Sequence, residues 1–159
     1  MSSAAQRAEL IAQLRQFPQQ LTEVVKDLSA EQLTTAFLAH EWTVAQNVHH
    51  LVDSHMNAYI RCKLIATEDN PPLKPYMQDA WANFPDAMQA DLTGALALLA
   101  VLHERWAQFW EALPEEAFAR SGMHIERGPM SLAALLPMYV EHGLGHIDQI
   151  QRTLAAQSA

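Results

Sequence analysis

The sequence predicts an all-α protein, a four-helix bundle, on two observations. Four long segments carry apolar residues at alternating intervals of three and four, the repeat that aligns one face of an α-helix. No segment of strand length alternates apolar with polar residues, and no internal repeat is visible. Four such helices with two lengthy connections close around one core as a bundle.

The first helix is expected from Ala4 to Leu28, with Leu10, Leu14, Phe17, Leu21, Val24 and Leu28 on one stripe. Pro18 lies inside it and removes a backbone donor, so a kink or break is expected there. Ser29-Ala30-Glu31-Gln32 reads as a capping box that opens a short turn. The second helix runs from Thr43 to about Thr67, with Val44, Val48, Leu51, Val52, His55, Tyr59, Cys62 and Ala66 on its apolar face. A proline-rich connection follows from Glu68 to about Ala90, with one helical turn expected at Asp79 to Asn83; long loops in small domains are usually functional. The third helix is expected from Asp91 to Leu113, and its face includes Leu99, His103, Trp106 and Trp110. Pro114 starts another short turn, then a loop passes through Gly122 and Gly128. Ser131 caps the fourth helix, which runs to about Ala156 with Leu132, Leu136, Val140, Gly143, Ile147, Ile150 and Leu154 inward. Pro137 is expected to kink it one turn before a pair of histidines.

The 159 residues read as one domain, 1–159, with enough chain to bury a core unaided. Ten basic residues against 18 acidic ones, a net charge of -8, argue against a nucleic-acid backbone or an anionic membrane as partner. A single cysteine, Cys62, excludes an internal disulfide and fits a reducing, cytoplasmic setting; its place on an apolar face reads as inert core. The stretch Met1 to Arg7 lacks the apolar centre of a signal peptide, and no apolar run is long enough to span a bilayer.

Eight histidines are the unusual feature. His142 and His146, four apart on the fourth helix, share a face beside Leu135 and Tyr139, where two imidazoles can reach one ion. Gly143 and Gly145 between them suggest a close helix approach or room for a ligand. A third ligand must come from another element. The second helix offers His49, His50 and His55, and periodicity leaves the choice open: it puts His55 deepest, His49 next, and His50 on a polar strip with Ser54, Asn57 and Arg61. His55 and His103 read as core histidines, the cluster of Trp106, Phe109 and Trp110 as core, and His40 and His124 as exposed loop residues.

Glu41-Trp42-Thr43-Val44-Ala45-Gln46-Asn47-Val48-His49-His50-Leu51-Val52-Asp53-Ser54-His55-Met56-Asn57 resembles the second-helix signature of the YfiT-like branch of the DinB superfamily. Lys74-Pro75-Tyr76, Ala80-Trp81-Ala82, Leu102-His103-Glu104-Arg105-Trp106, Tyr139-Val140-Glu141-His142 and His146-Ile147 resemble its later motifs. The resemblance implies an up-down-down-up bundle, a homodimer, and a nickel or zinc ion on three histidines. It assigns the third ligand to His50, beside His142 and His146.

Two chemistries follow for a small-molecule substrate. In hydrolysis the metal activates water, with Asp53 and Glu141 as candidate catalytic carboxylates and Asn57, Arg61 and Tyr139 as candidate substrate contacts. Glu141 is expected to point away, since neighbours on a helix diverge by about 100°. In thiol transfer, which the resemblance also implies, the metal binds a low-molecular-weight thiol of bacillithiol or mycothiol type, and Arg61, Lys63 and Lys74 hold its carboxylates. A third reading is a metal-binding bundle without turnover.

Overall fold

The computed structural model describes residues 3–157. Met1 and Ser2, the start of the segment read for a leader, lie outside the described residues. Its long helices are α1 (Ala4–Val25), α3 (Val44–Thr67), α5 (Thr93–Ala112) and α6 (Leu132–Ala156), with short helices α2 (Ala30–Thr34) and α4 (Gln78–Ala82) in the connections. Ser3, Ser29 and Thr43 each form a reciprocal capping box with the glutamine three residues on, and Ser131 caps α6 through the N–H of Ala134. Pro18 and Pro137 lie within continuous helices, so neither breaks its element.

Both α1 and α3 pack against α5 and α6, so α1 faces α3 across a diagonal. At one end of the bundle Leu14, Ala58, Cys62, Trp106, Trp110 and Leu136 pack together; at the other Leu21, Val48, Leu51, Leu99 and Ile150 do. Residue numbers rise in the same direction along α1 and α6 and in the opposite direction along α3 and α5, the up-down-down-up order. Gly143 of α6 meets Phe17 of α1 so closely that a Cβ would lie 2.7 Å from its ring. That glycine marks a close helix approach, whereas Gly145 faces open space.

The strand-free expectation is corrected. Ser121–His124 (β2) pairs antiparallel with Gly128–Ser131 (β3), and Pro72–Leu73 (β1) joins β2 in parallel. The two longer strands have four residues each, too short for alternation to register in sequence. Gly128 turns the hairpin with φ +76, and Gly122 lets β2 approach β1, since a Cβ there would lie 2.8 Å from the Pro71 carbonyl. Arg120 donates to the carbonyls of Ile65 and Glu68, which ties the sheet to the end of α3. The turn after Pro114 is a 3-10 helix, Glu115–Ala119. No helix among the described residues is long and apolar enough to cross a membrane.

Candidate metal centre

Helix periodicity brings the ring of His142 to 4.6 Å from that of His146, centroid to centroid, with their Nε2 atoms 3.3 Å apart. Antiparallel packing of α3 on α6 sets His50 beside them, 5.6 Å from His142 and 4.9 Å from His146 between centroids. One nitrogen from each of the three rings lies within 4.8 Å of the others. The indole of Trp42, just before the α3 cap, sits 4.6 Å from His50 and stacks on His146 at 6.2 Å.

Neighbouring side chains orient these rings. The Asn47 amide donates to the Thr43 carbonyl and turns its oxygen toward His146, whose Nδ1–H donates to it at 2.7 Å. The His146 proton therefore sits on Nδ1, and Nε2 presents a lone pair to the centre. His142 Nδ1 lies 3.2 Å from Nε2 of His55.

Burial first, then the adjacent imidazoles of His146 and His142, pushes His50 down to about 3. Burial, with His146 and Arg127, lowers His142 to about 4, and burial lowers His146 to about 4. All three are neutral at pH 7, the form that ligates metal. Two nitrogens each about 2.0–2.1 Å from one tetrahedral ion stand roughly 3.3 Å apart. The His142–His146 spacing, 3.3 Å, matches this, so the residues present fit a divalent ion.

A cavity of about 470 Å³ opens beside His142, lined by Ser54, Arg61, Tyr76, Arg127 and Tyr139 among others. Arg61 is anchored by donation to the Lys74 carbonyl at 2.6 Å and reaches the Tyr139 hydroxyl oxygen at 3.5 Å. Burial raises the Tyr139 phenol, which stays protonated and keeps its O–H to donate.

The structure brings His50, His142 and His146 together, and Arg61 and Tyr139 line the adjoining cavity. Asn57 does not line it; its amide donates to the Asp53 carbonyl of its own helix. Neither Asp53 nor Glu141 lines it either, and Glu141 is exposed, as its helical angle predicts. The carboxylates that do line it are Asp79 and Glu126.

Two expectations are corrected. Periodicity ranked His49 deeper than His50, but His50 is 3% exposed while His49 is half-buried and hydrogen-bonds the Gln89 carbonyl. His50 of that polar strip faces the histidines of α6 inside the bundle and Ser54 lines the adjoining cavity, whereas an apolar scale reads such polar positions as solvent-facing. His124, expected to be exposed, is buried where β2 pairs with β1. Cys62 is fully buried, its thiol pushed up to about 12, as its core position implies. Asn47 was missed, although its place three residues before His50 puts it on the same face.

Residues 13–150 match the family model of the DinB superfamily, and the chain belongs to that superfamily. Among its relatives, a protein of Bacillus cereus (strain 03BB102) and one of Bacillus thuringiensis subsp. konkukian (strain 97-27) are each 41% identical over 140 residues, 88% of this chain and 80% of theirs. Both carry the name "Putative metal-dependent hydrolase". The fold matches the solved structure of YfiT from Bacillus subtilis with a TM-score of 0.93 and 38% identity, over 96% of this chain and 88% of that one. Its title describes a probable metal-dependent hydrolase with an unusual four-helix bundle topology.

Proposed function

We propose that this chain is a metal-dependent hydrolase in which His50, His142 and His146 hold one divalent ion, zinc or nickel. The observation that carries the reading is the convergence of three neutral imidazole nitrogens within 4.8 Å at the edge of a cavity. When bound, such an ion supplies Lewis acidity, polarising a scissile carbonyl and making water a nucleophile near neutral pH. Three neutral ligands leave the ion's charge uncancelled. Tyr139 donates its O–H to the oxygen that gains charge, and Arg61 holds that phenol while favouring an anionic substrate. The cavity suits a small molecule.

A second reading, metal-dependent thiol transfer, is favoured by Arg61 and Arg127 on the same cavity, which suit the carboxylates of a low-molecular-weight thiol. On either reading the substrate is a small molecule, the setting is cytoplasmic and the chain is a homodimer, which light scattering tests.

Elemental analysis of protein purified without an affinity tag tests for the metal. Metal-loaded protein is then offered esters and amides, and separately a thiol with an electrophile. Thiol-independent cleavage supports hydrolysis and thiol-dependent conjugation supports transfer. The His142→Ala variant is expected to lose the ion and the activity while keeping its helicity; unchanged turnover in that variant refutes both readings.

A further inference from the structure

Leu14 and Pro18 are four apart in α1, the spacing at which a helical N–H meets a carbonyl. Proline has no N–H, so the Leu14 carbonyl lacks its helical donor inside the bundle, and a buried carbonyl needs a partner. His103 of α5 supplies it, with Nδ1 at 2.6 Å. Phe17 stacks on the His103 ring at 5.3 Å and fixes its plane.

A carbonyl only accepts, so the proton of the His103 ring sits on Nδ1 and its Nε2 is left to accept. His55 Nδ1 lies 2.7 Å from that nitrogen and must carry the proton between them. His55 Nε2 is then an acceptor for His142 Nδ1–H at 3.2 Å. The proton of His142 is thereby placed away from the centre, and its Nε2 lone pair meets that of His146 at 3.3 Å, an arrangement that a cation relieves. The opposite polarity would set a lone pair of His103 against the Leu14 carbonyl.

We propose that His103 and His55 are positioning residues that carry the acceptor character of the Leu14 carbonyl to His142, fixing the tautomer in which His142 ligates metal. The proposal rests on the reading that the three histidines hold an ion. His55 and His103 thus have a task besides packing. Pro18 is the sequence feature that releases the carbonyl where the relay starts.

The test uses the full-length chain, untagged. Long-range ¹H–¹⁵N spectra of the metal-free protein at neutral pH are expected to show the proton on Nδ1 in His55, His103 and His142. Zinc affinity is then measured by competition with a chromophoric chelator. The His103→Leu variant is expected to lose the single tautomer at His142 and to bind zinc about 10–100-fold more weakly. The His103→Gln variant, whose amide both donates to Leu14 and accepts from His55, is expected to restore both. A proton on Nε2 of His142 in the wild-type spectrum overturns the proposal. So does a folded His103→Leu chain with an unchanged tautomer and affinity. If that variant fails to fold, the wild-type spectrum decides. Wild-type protein that takes up no zinc overturns the metal reading and the purpose assigned to the relay, while the tautomer pattern is still read independently.

Discussion

Acidifying the metal-free chain should unfold it near pH 5. Five imidazoles, those of His50, His55, His103, His142 and His146, are held below the ordinary histidine range, in each case chiefly by burial. In the unfolded chain each titrates at about 6.5. The unfolded state therefore binds more protons than the folded state between roughly pH 6.5 and pH 4, so stability rises with pH across that window. It is fully present above 6.5 and is lost as pH falls. Each such proton contributes about 1.4 kcal/mol per pH unit, so five give a slope of roughly 7 kcal/mol per unit. A domain of this size has about 5–15 kcal/mol in all, which that slope exhausts within one to two pH units. The ion pairs of Arg15 with Glu104 and Glu111 and of Arg152 with Glu41 and Asp148 lie at the partly exposed surface and contribute little to this slope. Urea titrations followed by far-UV circular dichroism at intervals from pH 8 to pH 4 measure the slope. Saturating zinc, which competes with protons for three of the five rings, should move the midpoint to lower pH. Stability that stays flat between pH 7 and pH 5 in the metal-free chain would refute the claim that these rings are buried and neutral.

Other outcomes can be checked with single variants. The Gly145→Ala variant, at an open helical position, should stabilise the chain by about 1 kcal/mol, whereas Gly143→Ala should cost about 1–3 kcal/mol by driving α6 off Phe17; thermal or urea melts compare them. In the Asn47→Ala variant His146 loses its acceptor, and zinc affinity should fall about 10–100-fold with helicity retained, as read by chelator competition. Once a substrate is in hand, Tyr139→Phe should lower kcat by about 100-fold and leave zinc affinity unchanged; an equal loss of affinity would place Tyr139 in metal retention instead.

Much of this protein is legible along the chain because the signals are local. Apolar spacing, the capping box at Ser29 and the Ser131 cap act within one or two turns, and each appears at the expected place. The pairing of His142 with His146 is equally local. The small sheet escaped because its strands are two to four residues long, too short for alternation to register, and β1 meets β2 only across the intervening helix α5. The choice of His50 over His49 and His55 could not come from periodicity. A polar strip folded against another polar strip reads in sequence as a surface.

The amino-acid order alone determines four amphipathic helices, their caps, and a histidine pair on one helix face, since hydrogen bonds and side-chain spacing inside a helix need no distant partner. Only the packing of α3 and α5 against α1 and α6 decides that His50 meets that pair and that His55 and His103 join it to the Leu14 carbonyl. The hydrogen bonds of that chain bridge residues 48 to 89 positions apart, and only the crossing of helices in the folded bundle sets which nitrogen faces which.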